Sequence, residues 1–169
     1  CLAVAKDHPD AVVIGCDTVV DVDGAVFGKP HDAEDAKRML RALSGKTHQV
    51  HTGVCIAKGD RAEHFVDSCK VTFFPLGEEE IAFYAATPEP YDKAGAYAIQ
   101  GRAALWLDRI GGDYYSIIGL PVSRTVQLLA HFLCEKWKND RKLAETLEKW
   151  STCGYNRTVL FCAGRQDTA

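Results

Sequence analysis

Apolar and polar positions alternate along the chain with two different periods. "AVVIGCDTVV", Ala11 to Val20, is β-branched and nearly unbroken, the pattern of a buried strand. Asp21 to Gly24 predicts a turn, and "AVFG" a short strand returning from it. Asp32 then stands where a cap is needed for a helix, "DAEDAKRMLRALSG". Acidic residues fill its first turn, Lys37, Arg38 and Arg41 its later turns, and Gly45 its stop. Ala36, Met39, Leu40 and Leu43 share its apolar face.

"HQVHTGVCIAKGDRAEHFVDSCKVTFFPL" predicts two long strands joined at Lys58-Gly59-Asp60. Glu78 to Ala86 predicts a helix, ended by Thr87-Pro88-Glu89-Pro90. "AGAYAIQG" and "AALWLDRIGGDYYSIIGLP" predict further strands punctuated by glycine, and Pro121 opens another helix. The first ten residues, "CLAVAKDHPD", read as the end of a helix running into a polar turn. Helices alternating with strands around one long hairpin predict an α/β domain with a mixed sheet. The domain is expected over residues 1–134. Residues 135–169 read as an extension, helical through "NDRKLAETLEKW" and then irregular.

Several polar residues interrupt this pattern. Asp17 is expected near the carboxyl end of a buried strand, where ligands of open α/β sheets bind. A buried carboxylate needs a cation, donors or a metal. Lys29, on the returning strand's far side, is a candidate partner. The alternative is a structural salt bridge at a strand end. "SGKTHQVHTG", Ser44 to Gly53, is dense in phosphate-bonding groups but lacks the glycine spacing of a P-loop. His48 and His51 are three apart on a predicted strand, hence on opposite faces and a poor metal pair. Gln100, between an apolar run and Gly101, offers an amide that both donates and accepts. It can match the N–H and C=O of a pyrimidine edge, or simply sit at a surface strand end. Tyr114 and Tyr115 read as packing residues. G-x-S-x-G and G-x-G-x-x-G are both absent, which leaves an elbow-type serine hydrolase and a Rossmann dinucleotide fold unsupported.

The totals change little. The chain has 169 residues, 47% hydrophobic and 25% charged, with a formal charge of −3. That is enough for a packed core, and no basic field marks a nucleic-acid binder. The seven cysteines form no C-x-x-C pair, which fits a reducing compartment and a cytoplasmic location. No stretch approaches the ~18 apolar residues of a membrane span, and no signal peptide is visible. Asn156 to Thr158 matches a glycosylation acceptor that such a location would leave unused.

Taken together and in order, "IGCDTVV", "GKP", "AKRMLRALSGKTHQVHTGV", "KVTFFPLGEEEIAFYAATPEPYDKAGAYAIQG" and "GDYYSIIGLP" resemble the Maf family of nucleotide pyrophosphatases, over about Val12 to Leu129. The resemblance implies a mixed twisted sheet flanked by helices, an architecture shared with inosine-triphosphate pyrophosphatases. It implies hydrolysis of a nucleoside triphosphate to monophosphate and pyrophosphate with Mg²⁺ or Mn²⁺. Asp17 matches the family's proton acceptor and is a candidate metal ligand, and Lys29 matches its phosphate-side lysine. Thr18 and Gln100 match the class acting on dTTP and UTP rather than on 7-methyl-GTP. A homodimer is implied, with no nucleic-acid or membrane partner.

The family also carries an S-x-S-P-R-R loop, a glutamate and a lysine ahead of the matched region, with a further strand. The chain as given starts after the positions where these are expected. The resemblance therefore leaves two alternatives beside the pyrimidine enzyme. One is a catalytically impaired remnant that binds nucleotide or a partner. The other is the inosine-triphosphate class, which Thr18 and Gln100 argue against.

Overall fold

The computed structural model describes residues 1–133 and 159–161. In chain order its elements are α1 (Leu2–Asp7), β1 (Val12–Val22), β2 (Ala25–Phe27), α2 (Ala33–Leu43), β3 (Thr47–Lys58), β4 (Arg61–Phe73), α3 (Glu78–Ala85), β5 (Leu107–Gly111), α4 (Tyr114–Ile117), α5 (Val122–Leu133) and β6 (Val159–Phe161). The strands form one sheet in the order β2-β1-β3-β4-β5, with β6 also pairing β1. The expected α/β class, a sheet with flanking helices, is what the chain forms.

Local chemistry explains the hairpins and helix ends. Asp23 and Gly24 both take positive φ, 54° and 85°, which is the twist a two-residue hairpin turn requires. The Gly24 N–H donates to Asp21 Oδ1 at 2.8 Å, and β2 then pairs antiparallel with β1 from Val20↔Phe27. Asp32 Oδ1 accepts from the Asp35 N–H at 2.8 Å and caps α2. Gly45, at φ 66°, turns the chain away after that helix. The two long strands break at Gly59-Asp60, where the hairpin was expected.

The described chain divides into two compact units. One takes Cys1–Asp17, Gly53–Val66 and the described residues from Val122 onward; the other takes Thr18–Thr52 and Asp67–Pro121. In the first, Ala5, Val13 and Ala57 are fully buried, and their small side chains let α1 lie close on the strands. The second has a larger core of Val20, Val22, Met39, Leu40, Leu43, Phe73, Ile81, Tyr84, Tyr97 and Trp106. Its rings meet edge to face, Phe73 with Tyr97 and Tyr84 with Trp106, each at 4.8 Å between centroids.

Three expectations about secondary structure need correction. "AGAYAIQG" is not a strand. Gly95 and Ala96 have φ of 71° and 60°, so the backbone turns back on itself. A Cβ on Gly95 would lie 2.9 Å from Val20 Cγ2, so only glycine lets this turn approach β1. Downstream, Arg102–Trp106 is a short 3-10 helix, and the strand begins only at Leu107. Within the extension expected to be irregular, Val159–Phe161 pairs antiparallel with Val12–Ile14. The helix expected over "NDRKLAETLEKW" and the Asn156–Thr158 acceptor lie outside the described residues. Among the described residues no helix is long and apolar enough to cross a membrane.

Candidate active site

Asp17 is not at the end of its strand and is not buried. β1 runs on to Val22 because the hairpin with β2 extends it, which leaves Asp17 mid-strand, with an exposed side chain. The apolar run concealed an alternation. Val20 and Val22 bury into the core, and Thr18 shares their parity, whereas Asp17 does not. Consecutive strand residues point to opposite faces, so the ladder fixes Asp17 and Thr18 firmly but in opposite directions. Beside Asp17, burial and then the Asp17 charge push the Cys16 thiol up to about 12. Cys16 is therefore a neutral thiol at physiological pH and no thiolate nucleophile.

Thr18 belongs to a chain of hydroxyls. Its Oγ1 lies 2.8 Å from Thr52 Oγ1, and Thr52 Oγ1 donates to the Ser116 carbonyl at 2.7 Å. Thr52 has one hydroxyl hydrogen, committed to Ser116, so the Thr18 hydroxyl is the donor in the first contact. Thr18 Oγ1 therefore offers only lone pairs to anything else. Thr52 is fully buried and β3 holds it, so Thr18 is oriented from behind.

Lys29 is exposed and has no ion pair among the described residues. The Gly95 N–H donates to the Gly28 carbonyl at 3.0 Å, which ties the Gly28-Lys29-Pro30 segment to the Gly95 turn. Gln100 is exposed in the next turn, closed by Gly101 N–H to the Ala98 carbonyl at 3.0 Å. The Gly28-Lys29-Pro30 segment is thus tied to the Gly95 turn, five residues before Gln100.

The remaining candidates resolve differently. His48 and His51 do sit on opposite faces: His48 is buried, and His51 Nδ1 is 2.8 Å from Ser68 Oγ. His48 Nε2 is 2.8 Å from Tyr97 Oη, and burial lowers the His48 pKa to about 4. Tyr114 and Tyr115 are exposed and stack edge to face with each other, so they are not core packing. Cys1, Cys16, Cys55 and Cys69 carry free thiols; the other cysteines lie outside the described residues. Among the described residues no group of three or more His, Cys, Asp or Glu is placed to hold a metal ion. Thr52, Ser116, Tyr84 and Glu89 were not singled out by sequence, because each acts through a partner far along the chain.

Residues 1–132 match the model of the Maf-like protein family, and the chain belongs to that family. Among its relatives, a dTTP/UTP pyrophosphatase of Bacillus velezensis is 55% identical over 130 residues, covering 77% of this chain and 69% of the relative. Proteins of the same name from Bacillus cytotoxicus and Bacillus mycoides are 50% and 49% identical over 130 residues, covering 77% of this chain and 68% of each relative.

Proposed function

We infer that the protein is a nucleoside triphosphate pyrophosphatase that hydrolyses dTTP and UTP to the monophosphate and pyrophosphate. The observation that carries this reading is the exposed Asp17 carboxylate, held mid-strand, in a chain whose relatives at about half identity bear that name. Water attacks the α-phosphorus in line. An O–P bond forms, the bond to the bridging oxygen breaks, and pyrophosphate leaves. Asp17 accepts the proton from the attacking water. Lys29 stabilises charge on the phosphates. The Gln100 amide meets both the donor and the acceptor of a uracil or thymine edge, and Thr18 contributes lone pairs only.

Pyrophosphatases of this family are in general dependent on a divalent metal. Mg²⁺ habitually takes one or two carboxylates and fills its shell with water and substrate phosphates, so the single carboxylate of Asp17 suits it. Bound there, Mg²⁺ or Mn²⁺ would neutralise charge developing on the phosphates. The family resemblance also supports a homodimer, which sedimentation would decide.

The test is pyrophosphate release from dTTP, UTP, CTP, ITP and 7-methyl-GTP with Mg²⁺ or Mn²⁺. We expect preference for dTTP and UTP, with turnover lowered about 10³-fold in Asp17→Asn. Turnover undiminished in Asp17→Asn overturns the role of Asp17, and preference for ITP overturns the pyrimidine assignment.

A further inference from the structure

We propose that Glu89 and Tyr84 are positioning residues for Gln100. They clamp the turn that carries it and so set where its amide meets the pyrimidine edge. The proposal rests on the assignment of Gln100 to base recognition.

The turn over residues 99–101 has little to hold it from within. Gly101 N–H to the Ala98 carbonyl, at 3.0 Å, closes it. Besides that bond and the Ala104 N–H to the Gly101 carbonyl at 3.1 Å, two side chains hold it. On the entry side the Ala98 N–H donates to Tyr84 Oη at 3.1 Å. On the exit side the Arg102 N–H donates to Glu89 Oε1 at 2.9 Å. The two anchors are themselves joined: Tyr84 Oη donates to the same Glu89 Oε1 at 3.0 Å. Gln100 is therefore bracketed two residues on either side by one hydrogen-bonded pair. Tyr84 is 1% exposed and stacked on Trp106, so the pair is rooted in the core. Ile99 is buried while Gln100 is exposed, so the turn grips inward with one residue and displays the next.

Gly101 fits the same design. A Cβ there would lie 1.9 Å from Glu89 Oε1, so the carboxylate occupies the space a side chain would need. Glu89 could instead leave its carboxylate in water at no penalty. Here one oxygen accepts from a backbone amide and a buried phenol at once, and charge-assisted hydrogen bonds are the stronger kind. A surface turn without such restraint belongs to the low-stability part of a fold. Selecting a base edge by hydrogen bonds requires the amide to be held within about 0.5 Å.

Hydrogen exchange over residues 94–106 reads the clamp. Calorimetric titration with the α,β-methylene analogues of UTP and CTP reads the base choice. Glu89→Ala is expected to speed exchange at Ala98 and Arg102 about tenfold, the loss of one net hydrogen bond. It is expected to lower the UTP-over-CTP affinity ratio by roughly tenfold, as Gln100→Ala does. Glu89→Gln keeps an acceptor oxygen and should recover most of both. Should Glu89→Ala fail to fold, Tyr84→Phe keeps the packed ring and removes only the hydroxyl, with the same two readouts. Unchanged exchange overturns the clamp. Faster exchange with an unchanged ratio, where Gln100→Ala collapses it, overturns the positioning role. A parent protein or Gln100→Ala variant that shows no change in base preference overturns the base-recognition assignment itself, whatever exchange shows.

Discussion

β1 and the turn over residues 99–101 each display an exposed polar side chain, Asp17 and Gln100, and they hold it by opposite means. In β1 the backbone ladder does the holding, since β2 and β6 both pair with it and β3 is its neighbour in the sheet. Asp17 takes its position from the strand backbone. In the turn the backbone has one internal bond, and long-range side-chain bonds from Tyr84 and Glu89 hold it. The proton-accepting role proposed for Asp17 tolerates the first arrangement, because its position is the strand's position. The base-reading role proposed for Gln100 needs the second.

The largest effect that separates the two regions should come from Asp17. Asp17→Asn is expected to lower UTP turnover by about 10³-fold, the scale of a lost general base, with thermal stability unchanged because the side chain is exposed. Steady-state rates and a melting curve check it. A fall in melting temperature would mean that the strand, too, depends on this side chain.

The next effect should appear in the turn and not in the strand. Tyr97, one residue before Ala98, is tied to His48 at 2.8 Å. The folded chain holds the His48 pKa near 4, against an ordinary value of 6.5. The unfolded chain takes up a proton as pH falls below 6.5, and the folded chain resists until about 4. Stability is therefore full above pH 6.5 and is lost on acidification through that window, by about 3 kcal/mol at its end. Urea unfolding at pH 7 and at pH 4.5 checks it. Exchange at Ala98 should rise before exchange in β1.

Two glycines give smaller and unequal effects. Gly95→Ala meets both a positive φ of 71° and a Val20 methyl at 2.9 Å, and should cost about 2 kcal/mol. Gly24→Ala, in the hairpin after β1, has a φ of 85° but nothing within 4 Å, and should cost about 1 kcal/mol. Equal losses in denaturant melts would remove the distinction between a turn that packs against β1 and one that does not.

The same contrast explains what could be read from the sequence. The hairpins at Asp23-Gly24 and Gly59-Asp60 and the Asp32 cap are local chemistry, and the residues involved are neighbours. The opposite faces of His48 and His51 follow from strand period alone. Asp17 was legible as a polar break in the apolar run but not as an exposed residue, because valines on both faces of β1 hid the alternation. The region from Gly95 to Trp106 was misread as strand. Its shape depends on Glu89, Tyr84 and Val20, whose bonds and contacts carry no periodic signal. Gly95 and Gly101 were the visible hints, each marking a place where another group comes too close for a Cβ.

The central claim is attack of water on the α-phosphorus of a pyrimidine nucleoside triphosphate. Hydrolysis of UTP in ¹⁸O-labelled water, with mass analysis of the products, tests it directly. One labelled oxygen in uridine monophosphate and none in pyrophosphate is the expected result. Label in pyrophosphate, or release of uridine diphosphate and labelled phosphate, would contradict it.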